Sequence, residues 1–207
     1  EFRRVLFRSE ALDAFDRVLS LEPRNFEAFS ARGVVLQDMR RYRGALADLD
    51  QALVYSPDNA DAHWNRGLLK LLLGEYEEGW ADYEWRWKSR AQRHLQRSFP
   101  VPLWDGANPN QRILVHAEQG FGDTIQFCRF AKLLADRGAD IVLQVPQALV
   151  RLIRTLGPGI AVISQEDEVP PVDAHCPLLG LPLRLGTTLE NIPRSEEHTS
   201  ELQSHSF

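Results

Sequence analysis

The sequence predicts an α plus α/β protein, in which stacked pairs of helices are followed by a parallel sheet with helices between its strands. Three observations support this fold class. Similar residues recur at an offset of 34 positions across residues 10–90. An apolar run at 113–115 leads into a loop with two glycines and then into apolar residues at helical spacing. Further apolar runs of strand length, with a helical pattern between them, follow before residue 193.

The two ends of the chain differ in origin from the rest. The first nine residues, EFRRVLFRS, and residues 194–202, RSEEHTSEL, can be encoded by reverse complements of one another. A folded protein has no reason to encode its own reverse complement, so we interpret residues 1–9 and 194–207 as translated sequencing adapter. On this interpretation, residues 10–193 are a fragment of a longer natural protein.

Residues 10–90 carry the repeat. The proline and glycine pairs Pro23 and Pro57, and Gly33 and Gly67, are each 34 positions apart. Two short helices cannot bury an apolar face alone, so neighbouring pairs must stack. The spacing resembles that of the tetratricopeptide repeat family, through the motifs ARG–Leu36–Tyr42–Ala45–Leu49–Ala52–Pro57 and NRG–Leu71–Tyr76–Gly79–Tyr83. The resemblance implies a superhelix whose concave groove holds a protein or peptide; the alternative is that the repeats only brace the following domain.

The tryptophans are concentrated where the repeats end. All five lie between Trp64 and Trp104. A helix over residues 75–90 is predicted to place one aromatic stripe on the repeats and Trp85 on another face, toward the next domain. An alternative is an aromatic platform on which sugars stack. Residues 91–110, with three prolines and a WDG turn, are predicted to be a linker. The stripe consists of Tyr76, Trp80, Tyr83 and Trp87.

Composition excludes several classes of function. The net charge is −5 and no block of basic residues occurs, which argues against a nucleic-acid partner. No apolar run is long enough for a membrane span. Cys128 and Cys176 lack metal-ligand spacing, so we expect no metal site, and we interpret both as core residues of a cytoplasmic protein.

Residues 111–193 alternate between strands and helices. Strands are predicted at 113–115, 141–145, 160–163 and 172–175, with helices after Asp123 and over 147–156. Such alternation predicts a parallel sheet with right-handed crossovers. Asp123 is predicted to be the N-cap of the first helix, because its carboxylate can accept a bond from a free backbone N–H. His116, at the end of the first strand, is interpreted as a core histidine.

Ligands of open α/β sheets bind outside the carboxyl ends of the strands, which points to the loop 116–123. The string GFGDTI lacks the third glycine of the dinucleotide fingerprint. An acid at the helix start would also repel a phosphate from that position. A carboxylate beside two glycines instead suits a general base, with Asp123 as the first candidate and Glu118 as the second.

The motif HAEQGFGDTIQF, with WDG before it and DAHCPLLGLP after it, resembles bacterial proteins in which tetratricopeptide repeats precede a glycosyltransferase domain. That domain is similar to the heptosyltransferases, which have the GT-B fold of two Rossmann-like halves. The resemblance implies that residues 111–193 are a truncated Rossmann-like sheet, the N-terminal half of a GT-B fold, and that the acceptor binds there. Gly122-Asp123 matches the pair that supplies the proposed base. The candidate acceptor contacts are Gln119, Gly120, Gly122 and His175, with Asp173 lining the same crevice.

Two functions follow. The first is an enzyme that transfers a sugar from a nucleotide-sugar to a protein or glycan, with the donor bound by a second half beyond residue 193. No cofactor is then expected in residues 10–193, and this stretch alone is expected to be inactive. The second is a non-catalytic scaffold, in which the repeats bind a protein and the α/β half is degenerate.

Overall fold

The computed structural model describes residues 2–108 and 110–193, with side chains from residue 7 onward. The chain divides into two compact units, with the boundary after residue 96. The first unit is helical and the second contains a four-stranded parallel sheet, so the predicted fold class is confirmed. Residues 194–207, interpreted as adapter, lie outside the described part of the chain.

In its described residues, the first unit contains five α-helices: α1 (Phe2–Leu21), α2 (Phe26–Asp38), α3 (Tyr42–Tyr55), α4 (Ala60–Leu73) and α5 (Tyr76–Tyr83). Equivalent caps begin α2 and α4, where Asn25 and Asn59 each accept a backbone N–H bond at 2.9 Å. These asparagines are 34 residues apart, so the repeat extends from the apolar pattern to the caps. Gly74 ends α4 with a φ of +86°, a left-handed conformation that glycine adopts at low cost.

The helices within each hairpin approach closely at glycine. A Cβ atom added to Gly67 would lie 2.7 Å from the backbone nitrogen of Tyr83 and 2.9 Å from the carbonyl carbon of Asp82. Both obstacles are backbone of the facing helix, so they cannot move aside as a side chain could. Gly67 therefore sets the distance between α4 and α5.

We expect Gly67→Ala to destabilise the first unit by about 1–3 kcal/mol through overpacking, although alanine is the better helix former. Gly44→Ala in α3 is the matched control, because its added Cβ would meet only a side-chain carbon of Leu36, at 3.4 Å. Chemical denaturation followed by circular dichroism measures both variants. Equal stability of the two would show that the α4–α5 distance is not fixed by Gly67.

An ion-pair cluster repeats with the same period. The guanidinium of Arg66 donates to both carboxylate oxygens of Asp82, at 2.6 and 3.0 Å, and to Asp50 at 2.7 Å. The equivalent arrangement 34 residues earlier joins Arg32 to Asp48 and Asp16. The charged residues therefore tie each first helix of a repeat to the second helices on either side of it.

Asp82 is the most buried acid of the later cluster, with 8% of its side chain exposed. Burial alone would raise the pKa of Asp82, but hydrogen bonds from Arg66 and from His63 outweigh it and lower that pKa below its ordinary value. The Nδ1 atom of His63 lies 2.7 Å from Asp82, and Nε2 lies 2.8 Å from the carbonyl oxygen of Pro57.

The end of the repeats differs from the prediction. The single helix predicted over 75–90 is wrong: α5 stops at Tyr83 and a 3₁₀ turn, Glu84–Trp87, follows. Within this turn, the buried guanidinium of Arg86 packs against the Tyr83 and Trp87 rings at 4.6 and 4.3 Å. Trp85 stacks on His63 with ring centroids 4.0 Å apart. The expectation that Trp85 faces away from the repeats is therefore also wrong.

The second unit is built on strands β1 (Arg112–His116), β2 (Asp140–Val145), β3 (Ile160–Ser164) and β4 (Ala174–Pro177). All pairs are parallel and the spatial order is β3-β2-β1-β4. Helix α6 (Phe121–Asp136) connects β1 to β2, and short helical turns that include α7 (Val150–Ile153) connect β2 to β3. The last element is α8 (Leu181–Arg184).

Two elements of the second unit, the fourth strand and the helix after β2, differ from the prediction. β4 occupies 174–177 rather than 172–175, because Asp173 does not extend the strand: its carboxylate accepts the backbone N–H of Arg112 at 2.8 Å. The helix predicted over 147–156 is a single α turn between two 3₁₀ turns. Both differences lie at element ends, where periodicity carries the least information.

The stretch predicted as a linker is divided between the two units, and its later part packs as structure. Leu103 bridges His175 in parallel register, so residues 102–104 extend the sheet beside β4. The Trp104 side chain is buried and its indole donates to the carbonyl oxygen of Asn108 at 3.0 Å. Arg184 donates to the carbonyl oxygen of Trp104 at 2.7 Å, which fixes the WDG turn to α8.

Within the described residues, no helix is long and apolar enough to cross a membrane. The same residues contain no group of three or more histidine, cysteine, aspartate or glutamate side chains arranged to hold a metal ion.

Candidate functional site

The order in which strands are added to the sheet reverses at β1. The chain passes from β1 to β2 and β3 on one side, and then returns to add β4 on the other side of β1. Ligands of open α/β sheets bind at the carboxyl ends of the strands where the strand order reverses, and we refer to this region beside β1 and β4 as the crevice. The loop after β1, residues 117–120, borders this crevice.

The first turn of α6 holds the leading candidate, Asp123. Helix α6 begins at Phe121 with Gly120 as its N-cap, so the prediction of Asp123 as N-cap is wrong. Asp123 is the third residue of the helix, and its carboxylate lies near the cap: a Cβ built on Gly120 would be 3.8 Å from its Oδ2 atom. A carboxylate there interacts favourably with the positive end of the helix dipole.

The other loop candidates lie in the same segment of the chain as Asp123. Glu118 and Gln119 are partly buried between β1 and α6, whereas Gly120 and Gly122 are exposed. The structure therefore brings five of the predicted residues into one short segment at the carboxyl end of β1. Thr124 anchors the segment, because its backbone N–H and its hydroxyl both donate to the carbonyl oxygen of Gly120 at 3.0 Å.

The fold gives no reason for glycine at position 122. Gly122 is not among the glycines with positive φ in the described chain, and a Cβ added there would meet nothing within 4 Å apart from its two chain neighbours and the backbone of its own helix. Any residue could therefore occupy this position as far as the described structure is concerned. The glycine leaves open space next to Asp123, which is what a ligand approaching the backbone requires.

Gly122→Ala is consequently expected to stabilise the second unit by about 0.4–1 kcal/mol, because alanine loses less conformational entropy in a helix. We expect the same change to lower the rate of the reaction proposed below by roughly tenfold or more, since a methyl group would displace the bound ligand. Gly159→Ala, in an open loop before β3, is the control. A gain in stability with an unchanged rate would show that the space above Gly122 is not used.

The remaining candidate, His175, lies on β4 and not in the loop. Its Nδ1 atom is 3.2 Å from Nε2 of His116, and the Phe99 ring packs against both imidazoles, with centroids 4.6 and 4.7 Å away. His116 is buried, as predicted, with 1% of its surface exposed. Burial, followed by the nearby charge of Arg184, lowers the pKa of His175 below its ordinary value.

Asp173 does not line the crevice. It lies at the amino end of β1, opposite to the carboxyl end where the crevice is expected, and bonds with the backbone of Arg112. The prediction for Asp173 is therefore wrong, because Asp173 lies two positions before His175 on an extended chain, at the amino end of the sheet and not at its carboxyl end.

The sequence interpretation missed the polar residues that surround the histidine pair. Arg97 donates to the side-chain oxygen of Gln144 at 2.8 Å and lies over the Phe99 ring, 4.9 Å from its centroid. Gln144 is the register partner of His116 and is almost fully buried. One signal was present: Gln144 is a polar residue inside an otherwise apolar strand, Asp140–Val145.

A comparison with known protein families supports the repeat structure of the first unit. Residues 41–74 match the family described as TPR repeat. The chain thus contains tetratricopeptide repeat structure followed by a parallel α/β unit.

Particular relatives match over part of the chain. A TPR repeat-containing thioredoxin of Arabidopsis thaliana is 29% identical over 73 residues, which is 35% of this chain and 19% of that protein. A UDP-N-acetylglucosamine–peptide N-acetylglucosaminyltransferase of Giardia intestinalis is 30% identical over 73 residues, again 35% of this chain but 5% of that protein. The chain thus spans less than a fifth of either relative.

Among solved structures, a mutant of the O-GlcNAc transferase of Thermobaculum terrenum is similar, with a TM-score of 0.36 and 16% identity. The similarity covers 70% of this chain and 36% of that one.

Proposed function

We propose that the natural protein is a tetratricopeptide-repeat glycosyltransferase of the GT-B type, related to the bacterial heptosyltransferases. It transfers a sugar from a nucleotide-sugar to a hydroxyl group of a protein or glycan. Residues 10–193 supply the partner-binding repeats and the acceptor-side half of the transferase. The observation that carries the proposal is the position of Asp123, at the carboxyl end of β1 beside the point where the strand order reverses.

The proposed chemistry needs one proton acceptor. As the bond between the sugar and the leaving phosphate breaks, the acceptor oxygen attacks the anomeric carbon and its proton passes to a base. Asp123 takes this proton, with Glu118 as the alternative base in the same loop. Gln119, Gly120, Gly122 and His175 contact the acceptor. The nucleotide-sugar is bound by the other half of the GT-B fold, and no further cofactor takes part.

The repeats are proposed to hold the partner. A groove of about 770 Å³ runs between α2 and α4 in the first unit. Its lining combines apolar and charged side chains, which suits a peptide with mixed side chains. Among the lining residues are Phe15, Phe26, Glu27, Val34, Asp61, Lys88 and Arg90.

The relatives support the pairing of repeats with an enzyme without choosing the reaction. The Giardia protein is named as a sugar transferase acting on peptides, and the Arabidopsis protein is named as a thioredoxin. Because these activities differ, the transferase proposal depends on the second unit, through the EQGFGD loop and the crevice beside it. The scaffold remains the alternative if that crevice binds nothing.

A turnover assay tests the proposal. The natural protein with its region beyond residue 193, and residues 10–193 alone, are incubated with radiolabelled UDP-, GDP- and ADP-sugars and a peptide library. We expect the longer protein to transfer label to peptide or to water, and the shorter chain to transfer none. Transfer by residues 10–193 alone would contradict the two-half site. A folded longer protein without transfer would favour the scaffold.

A further inference from the structure

Arg97 places a positive charge beside the crevice without a carboxylate partner among the described residues. Arg97 is half-buried, and burial lowers the pKa of its guanidinium while no carboxylate raises it. Within the described residues its partners are the neutral Gln144 side chain and the Phe99 ring. A desolvated cation in a protein is ordinarily paired with an anion, so a lone one indicates a missing partner.

One neighbouring group is a cation and another becomes one only when it is protonated. His175 also packs against Phe99, which places its ring within about 10 Å of the Arg97 guanidinium. The nearby charge of Arg184 is a second cation. Arg184 is already engaged, because it donates to the carbonyl oxygens of Trp104 and Gly180. Arg97 is therefore the cation with donors left for a ligand.

Two buried side chains of the sheet, Gln144 and His116, hold Arg97 and His175 in place. Gln144 is 1% exposed and accepts the Arg97 bond at 2.8 Å, and His116, its register partner, is 1% exposed and contacts His175 at 3.2 Å. Two buried polar side chains thus orient the two that are partly open to solvent. An arrangement that only closed the sheet face would be expected to use apolar residues there, as the rest of β1 and β2 does.

We propose that this crevice binds an anionic oxygen group, a phosphate or a carboxylate, with Arg97 as its principal ligand and His175 as a hydrogen-bonding neighbour. The group is distinct in position from the start of α6, where Asp123 would repel it. The inference deepens the proposed function, because it gives the charge of the acceptor that enters this site. It rests on that function only for the identification of the anion as part of the acceptor.

Binding of the anion must be coupled to protonation of the His175 imidazole. In the free protein the lowered pKa keeps the imidazole of His175 neutral at pH values where an ordinary histidine is partly charged. An anion bound beside it favours the charged form and raises that pKa, and by reciprocity protonation of His175 tightens anion binding. His116, which contacts the imidazole, and Arg184, whose charge acts on it, carry no negative charge and cannot produce this rise themselves.

The test uses nuclear magnetic resonance of the histidine rings in the complete chain. Inorganic phosphate, pyrophosphate and acetate are added separately at constant ionic strength, and the His175 titration is followed with and without each. We expect a saturable shift and a higher titration midpoint with at least one anion. Comparison of the phosphates with acetate distinguishes a phosphate site from a carboxylate site.

Arg97→Gln is expected to weaken binding by about tenfold or more, the effect of losing a charged hydrogen bond. Arg154→Gln, which removes the same charge from an exposed position in the same unit, should leave binding unchanged. If Arg97→Gln unfolds the unit, Arg97→Lys retains the charge and should bind more weakly than the natural chain. No saturable response to any of the anions, or equal affinity of the Arg97→Gln and Arg154→Gln variants, would overturn the inference. Because no sugar transfer is measured, such a result would leave the proposed function standing.

Discussion

Asp123→Asn is expected to lower the turnover number of the natural protein by about 10²–10⁴-fold, the usual contribution of a general base. The amide keeps the shape of the side chain but cannot take the acceptor proton. Loss of one charge from the first turn of α6 should cost only about 0.3–1 kcal/mol of stability. The two effects therefore separate a catalytic role from a structural one when turnover and thermal unfolding are measured on the same sample.

Glu118→Gln provides the comparison within the same loop. A large loss of turnover in this variant, with little loss in Asp123→Asn, would assign the base to Glu118. Full turnover in both variants would remove the carboxylates from the mechanism and leave Asp123 as a helix-stabilising residue.

Asp82→Ala is expected to destabilise the first unit by about 3 kcal/mol, near the lower end of the range for a broken buried pair, because Arg66 stays partly exposed. The substitution leaves Arg66 and His63 without their shared acceptor. Asp50→Ala is the matched control, since Asp50 binds the same guanidinium from a position that is 57% exposed, and its loss should cost less than about 1 kcal/mol. Urea denaturation of both variants checks the difference.

The pH dependence of the same variants has a defined sign. The folded pKa of Asp82 is lowered, so its contribution to stability is present above the ordinary aspartate pKa of 3.8 and is lost as the pH falls through the folded value. The natural chain should therefore lose more stability on acidification than Asp82→Ala. Equal acid sensitivity in the two would show that the carboxylate is not held by Arg66 and His63.

Regular patterns made the fold predictable. The strand at β1 follows from three consecutive apolar residues, and the repeat follows from an offset that recurs many times. The same offset also relates Arg32 to Arg66 and Asp48 to Asp82, and reading the charged residues by it would have predicted the ion-pair clusters. Periodicity predicts elements well because it samples many positions at once.

The predictions that proved wrong concern features that depend on single residues and not on a repeated pattern. The sequence predicts Asp123 as an N-cap because aspartate is a common cap, but the cap is Gly120 and the helix starts three residues earlier than predicted. The helix after residue 75 gives way to a 3₁₀ turn at Glu84, where Arg86 packs on the rings of Tyr83 and Trp87, and the aromatic spacing alone does not distinguish this turn from a continued helix. Arg97 reaches Gln144 across 47 residues of sequence, so its place beside the histidines depends on the assembled sheet.

Chemical rescue tests the central claim most directly. Asp123→Ala removes the base and, with Gly122 beside it, leaves room for a small anion. If Asp123 takes the acceptor proton, added formate should restore sugar transfer in this variant, by about tenfold or more and with saturation, while leaving the natural protein unaffected. Undiminished transfer in Asp123→Ala without formate would contradict the account.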